Sequence, residues 1–160
     1  MKTVSADKLF TPIQVGPLEL KHRVVMSPLT RSRSVQPGSV PGDLLQPSPH
    51  RALEIRESPG IVEDYRKATE RAKAAGFDGV ELHAGNGYLP DQFLQDGINK
   101  RTDMYGGSIE TRSRFLLQVV EAMVSVWGGN HVAVRIAPGG TWNGVSDSNP
   151  IALLTTSQSN

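Results

Sequence analysis

Apolar residues recur at helical spacing from Ile61 onward. Val62, Tyr65, Ala68, Ala72 and Ala75 share one face, with arginine and lysine on the other. Gly76 stands where a helix in that register needs a residue to stop it. An apolar strand over residues 77–83 follows at once, and a second amphipathic helix is predicted over about residues 108–127. The buried face of that helix comprises Phe115, Leu116, Val119, Val120, Met123 and Trp127, and Gly128-Gly129 ends it. His131-Val132-Ala133-Val134-Arg135-Ile136 reads as another strand. The order is therefore helix, strand, helix, strand. The strands are apolar at successive positions rather than at alternate ones, which points to parallel strands covered by helices in an α/β architecture.

Upstream, Lys21-His22-Arg23-Val24-Val25-Met26-Ser27-Pro28 predicts a short buried strand stopped by proline. Between Ser34 and Gly60 the pattern dissolves. Pro37, Pro41, Pro47, Pro49 and Pro59 alternate with Gly38, Gly42 and Gly60, the composition of a linker. The expected organisation is one domain: a first strand region at 1–34, a Pro/Gly-rich linker at 35–60, two βα units at 61–150 and a polar tail at 151–160.

Charge adds little. Seventeen Lys+Arg against sixteen Asp+Glu leave a net charge of +1 in 160 residues, which makes no case for nucleic acid or an anionic membrane as a partner. The chain has no cysteine, so disulfides, thiolate catalysis and cysteine metal sites are excluded, and no metal centre is expected. The N-terminal MKTVSADKLF lacks an apolar signal core, and SQSN at the other end is not a peroxisomal address. A cytoplasmic location is the expectation.

Chemistry in parallel α/β proteins gathers at the C-terminal ends of strands. Three groups occupy such positions here: Pro28-Leu29-Thr30, then His83 with Asn86 and Tyr88, then Arg135. Taken singly, His83 has an ordinary reading as a satisfied structural histidine and Tyr88 as a packed aromatic, and Thr30 alone says nothing. Together, His83 and Asn86 can donate hydrogen bonds to one carbonyl oxygen. Tyr88 can deliver a proton, its phenol being neutral at physiological pH. Arg135 in an apolar strand must find an anion or several acceptors. Nothing in the set supplies electrons, so a reduction requires a cofactor. Gly106-Gly107 lacks the spacing of a phosphate loop.

The run AGFDGVELHAGNGYLPDQFLQDGINKRTDMYGGSIETRSRFLLQVVEAM, residues 75–123, resembles the old yellow enzyme family of flavin-dependent ene-reductases. HRVVMSPLTRSRS at 22–34 and VAVRIAPGGTWNGVSDSNP at 132–150 resemble further pieces of it in family order. The plant 12-oxophytodienoate reductases are the nearest subgroup. The resemblance implies a TIM barrel binding FMN, with NADPH as reductant and a small-molecule enone of the oxylipin type, from fatty-acid metabolism, as substrate. It implies that Pro28, Leu29, Thr30 and Arg135 bind FMN, that His83 and Asn86 bind the substrate carbonyl, and that Tyr88 is the catalytic proton donor. Asn86 stands where that subgroup commonly has histidine.

A complete barrel needs eight βα units, whereas about three barrel strands are legible here. The second and third units belong between Ser34 and His50, a stretch too short for them. The family's flavin-contacting glutamine belongs to that missing region, so neither Gln36 nor Gln46 takes its role. The glycine and arginine sites that clamp the FMN phosphate belong to later units and are not found. The expectation is a partial barrel in which the first strand pairs directly with the strand at 77–83. Two readings stand: an FMN- and NADPH-dependent ene-reductase, and a non-catalytic remnant that binds no FMN.

Overall fold

The structure is a computed structural model that describes residues 6–26, 34–35, 40–41, 51–137 and 139–158. After a short 3-10 helix (Ala6–Phe10), β1 (Ile13–Val15) and β2 (Leu18–Leu20) form an antiparallel hairpin, with Ile13 opposite Leu20 and Val15 opposite Leu18. The Gly16-Pro17 pair between two short alternating segments is the signal for this hairpin, which the helix-and-strand pattern above passed over. A second small hairpin joins β3 (Ser34–Val35) to β4 (Val40–Pro41) within the Pro/Gly-rich stretch.

The strand expected at 21–28 does not form over residues 21–26, where Val24, Val25 and Met26 stand in solvent. Strands persist by pairing, and no described segment offers these residues a ladder. Residues 27–33, which include Pro28, Leu29 and Thr30, lie outside the described residues, as do Gln36 and Gln46.

Regular structure resumes with α1 (Ser58–Ala74), one turn earlier than the hydrophobic pattern indicates. Pro59 lies in its first turn, where a missing N–H costs nothing and the fixed φ fits the helix. Ala75 caps it, and Gly76 takes a φ of +85°. Strand β5 (Val80–Ala84) leads to a short helix, α2 (Leu89–Leu94), and then to α3 (Ile109–Trp127). Ser108 caps α3 by accepting a hydrogen bond from the Thr111 N–H. Strand β6 (Val132–Ile136) returns parallel to β5, pairing Val80 with Val132 through Ala84 with Ile136. This is one βαβ unit, and the parallel α/β expectation holds for it. The described residues contain no closed barrel.

The expected polar tail is a helix instead: α4 (Pro150–Gln158) starts under the Asn149 side chain, which accepts from the Ala152 N–H at 3.1 Å. Leu153 from α4 joins the core. Its polar composition hid a helix that Leu153 anchors to the core.

Leu82 and Ala84 of β5, Phe93 and Leu94 of α2, Tyr105, and Phe115, Leu116, Val119 and Met123 of α3 form that core. Helix α1 adds Ile61, Val62 and Tyr65 at its edge. The side chains of α3 fall as the helical period requires, with Phe115 and Val119 fully enclosed. No helix among the described residues is long and apolar enough to cross a membrane.

The run NKRTDMYGGS folds the connection from α2 to α3 against itself. Asn99 Nδ2 donates to the carbonyls of Phe93 (2.6 Å) and Tyr105 (2.8 Å), and Arg101 pairs with Asp103 at 2.5 Å. Gly106 lies so close to Arg101 that a Cβ there would sit 2.0 Å from the Arg101 carbonyl oxygen. The glycine is required by space, and the motif is architecture rather than a ligand loop. Gly106→Ala is expected to cost about 1–3 kcal/mol by forcing the two backbones apart. A urea midpoint indistinguishable from the parent would show that the loop yields freely.

Candidate active site

Beyond β5 the chain reverses through Gly85-Asn86-Gly87-Tyr88. The Tyr88 N–H donates to the Gly85 carbonyl at 3.2 Å, while Asn86 and Gly87 hold φ values of +57° and +78°. Two consecutive left-handed residues closed by such a bond make a turn for which Asn-Gly is the favoured pair. Tyr88 then precedes α2 in extended conformation and Pro90 occupies its first turn. The proline that reads as a helix breaker is here part of a helix start. The reversal folds the Tyr88 ring back on the strand end. Its centroid lies 5.0 Å from that of His83, at a tilt of 51°.

Helix α2 grips the turn from below. Asp91 Oδ2 accepts from the Gly87 N–H at 2.9 Å, and Gln92 Nε2 donates to the Gly87 carbonyl at 2.7 Å. Gln95 Nε2 donates to Asp91 Oδ1 at 2.9 Å. Burial pushes the Asp91 carboxyl above its usual range, against the opposing effects of the Gln95 amide, the Gly87 N–H and the nearby His83. From the loop after β6, Asn143 Nδ2 donates to the Asn86 carbonyl at 2.8 Å. Asp91 and Asn143 were not among the residues anticipated from sequence. Asp91 had a signal, an acid in the first turn of a helix just after an Asn-Gly pair.

His83 and Arg135 face each other across the β5–β6 ladder. Glu81, His83, Ala133 and Arg135 therefore share one face of the sheet, opposite the face that Leu82 and Ala84 bury. Two of the candidate site residues, His83 and Arg135, lie on the more open face. His83 is half-buried, and its Nδ1 is enclosed without a hydrogen-bond partner. Arg135 departs from expectation: its side chain is 61% exposed, and its ion-pair contact is Glu81 at 3.7 Å. The apolar sequence VAVRI suggested burial on both faces. Only one face of β6 meets a described helix, so the guanidinium stands largely in solvent beside Glu81.

The fold thus unites His83, Tyr88 and Arg135, and sets Asn86 on the exposed crest of the turn between β5 and α2. The positions of Pro28, Leu29 and Thr30 relative to this group lie outside the described residues. An enclosed imidazole nitrogen without a partner, a phenol over the same ring, and an exposed guanidinium one strand away suit a planar ligand with a polar, anionic edge. FMN fits that description, so these residues are compatible with it.

A parallel βαβ unit with polar side chains at its strand ends is shared by many α/β proteins, and the sequence relationship says to which family this one belongs. The chain matches the NADH:flavin oxidoreductase / NADH oxidase family over residues 8–47 and 44–155, and it belongs to that family. Among curated relatives, 12-oxophytodienoate reductase 7 of Oryza sativa subsp. japonica is 54% identical over 107 residues, covering 67% of this chain and 27% of the relative. 12-Oxophytodienoate reductase 2 of Arabidopsis thaliana is 40% identical over 148 residues, 92% of this chain and 37% of the relative. Morphinone reductase in complex with tetrahydroNAD superposes with a TM-score of 0.65 at 52% identity, covering 72% of this chain and 31% of that structure. The old yellow enzyme homologue from Zymomonas mobilis gives 0.65 at 42% identity, covering 74% and 32%. This chain therefore spans about a third of the length of the relatives it matches.

Proposed function

We propose that this chain carries the substrate-activating part of an FMN- and NADPH-dependent ene-reductase that saturates the C=C bond of α,β-unsaturated carbonyls, of the oxylipin type. The observation that carries the reading is the His83–Tyr88 ring pair at 5.0 Å, set by the Asn-Gly turn beside the in-register Arg135. The nicotinamide part of the reading is supported by the tetrahydroNAD held by morphinone reductase.

Flavin, when bound, supplies two reducing equivalents that NADPH replenishes. The residues of this chain do the rest. His83 and Asn86 donate hydrogen bonds to the substrate carbonyl oxygen, drawing electron density from the conjugated double bond and leaving the β-carbon electron-poor. Tyr88 O–H gives its proton to the α-carbon, and the phenolate recovers it from solvent. Arg135 holds negative charge on the open face, and Pro28, Leu29 and Thr30 complete the flavin contacts in this reading.

The test is an FMN titration of the folded chain followed by flavin fluorescence, then NADPH-driven reduction of an enone. Saturable quenching is expected. Tyr88→Phe is expected to lower turnover about a hundredfold or more, with FMN binding unchanged. The uncovered sheet face favours one alternative, a chain that bears the site residues without binding FMN. Absence of saturable quenching in a chain of intact helical circular dichroism would establish that alternative.

A further inference from the structure

Asp91 is a carboxylate only 1% exposed, and no cation among the described residues forms an ion pair with it. Burial of that kind persists where it fixes something, because a carboxyl out of water costs stability unless its acceptors are used. Both of its oxygens are used. Oδ2 takes the Gly87 N–H and Oδ1 takes the Gln95 amide, which is itself fully buried. Gly87 lies between Asn86 and Tyr88, and its φ of +78° is half of the reversal that brings the Tyr88 ring onto His83. Without Asp91, the Gly87 N–H would be an orphan donor in a buried position, and of the two side-chain links from α2 to Gly87 only that of Gln92 would remain.

Resting on the function proposed above, we propose that Asp91 is a positioning residue for substrate. Through the Gly87 N–H it sets the turn that aims Asn86 and Tyr88 at the carbonyl compound held by His83. The anchor depends on reach, not on charge. An asparagine at 91 presents an acceptor at the same distance, and once the Gln95 amide turns over, the asparagine amide can donate to Gln95 Oε1, which is buried without a partner. A glutamate keeps the charge but is one methylene too long for the 2.9 Å contact to Gly87.

The experiment uses the full 160-residue chain labelled with 15N, as parent, Asp91→Asn and Asp91→Glu. Two quantities are read without flavin: hydrogen exchange of the Gly87 amide, and cyclohexenone affinity followed through the Asn86 side-chain amide. The parent and Asp91→Asn are expected to protect Gly87 and to bind cyclohexenone alike. Asp91→Glu is expected to exchange Gly87 and release cyclohexenone about tenfold more readily, the worth of one buried hydrogen bond. A residue that served stability alone would not separate these two variants in enone affinity at matched distance from their melting points.

Parent-like affinity and Gly87 protection in Asp91→Glu would overturn the assignment. Should that variant not fold, the parent decides: a Gly87 amide exchanging within about tenfold of an open chain overturns it as well. A parent chain that protects Gly87 yet binds no cyclohexenone would sink the functional reading itself, and with it the role of Asp91 toward substrate.

Discussion

Replacing Arg112 with methionine is expected to destabilise the chain by about 3 kcal/mol at neutral pH, the cost of leaving a shielded carboxylate without its cation. Arg112 is buried on α3 and binds three separate segments. Its Nη1 donates to the Leu94 carbonyl at the end of α2 and to Asp147 Oδ2 at 2.5 Å, and its Nε donates to the Gly107 carbonyl at 3.2 Å. Asp96 lies 3.9 Å from Nη2. The Asp147 side chain is out of contact with solvent, and Asp96 in turn accepts from the Ser148 N–H at 3.0 Å. One guanidinium thus joins the loop after β6 to the segment after α2. Methionine keeps the aliphatic volume and deletes all of these bonds, so the loss isolates the electrostatic and hydrogen-bonding part.

The pH dependence gives the prediction its sign. Burial raises the Asp147 carboxyl, but the Arg112 hydrogen bond and the Asn149 and Asp96 N–H groups outweigh it and hold the group below its usual range. A folded-state value below the unfolded one contributes stability that is present above about pH 4 and lost as pH falls through the lower folded value. In Arg112→Met the burial effect is left with the backbone donors alone. Asp147 then rises, and mild acidification toward about pH 5 is expected to recover stability rather than remove it. Urea midpoints at several pH values check both statements. A variant within about 1 kcal/mol of the parent at pH 7, with an unchanged acid limb, would mean that solvent reaches Asp147. Arg112→Met combined with Asp147→Leu is expected to regain much of the loss, since both partners are then apolar.

Much of this architecture is written in local pattern. The Phe115, Leu116, Val119, Met123 stripe specifies the buried face of α3 because helical period is a property of the segment itself. Gly76 and Ser108 mark helix ends for the same reason. The candidate-site run was legible as possible chemistry, since a histidine, an amide and a phenol around an Asn-Gly pair follow an apolar strand. What escaped depends on neighbours. VAVRI is equally consistent with a strand covered on both faces or on one, and only the fold puts Arg135 in the open. HRVVM has strand composition, yet residues 22–26 form no strand because an apolar run does not specify its partner. The short α2 carried no periodic signal of its own, and the polar residues of α4 disguised the helix that Leu153 anchors.

Phe115→Ala is expected to cost about 3–5 kcal/mol, the loss for a fully enclosed aromatic side chain. It is also expected to loosen the candidate site at a distance. The Phe115 ring is completely buried and stacks on Phe93, with centroids 4.2 Å apart and planes 14° from parallel. Tyr105 meets both rings edge-on, at 6.2 Å from Phe115 and 5.7 Å from Phe93. These contacts add to simple area burial, because offset stacks and edge contacts match ring quadrupoles. Phe93 belongs to α2, the helix whose Asp91 and Gln92 hold Gly87. Removing the ring beneath Phe93 is therefore expected to free α2, which stacks on it directly, more than α1. Exchange of the Gly87 amide should accelerate more than that of amides in the middle of α1, while the urea midpoint falls. Phe115→Leu, which refills most of the cavity, should lose less stability and retain Gly87 protection. Uniform acceleration across both helices would show that the aromatic cluster supports only the global fold. Preferential loss at Gly87 would show that the geometry of Asn86 and Tyr88 is held from the core through Phe93.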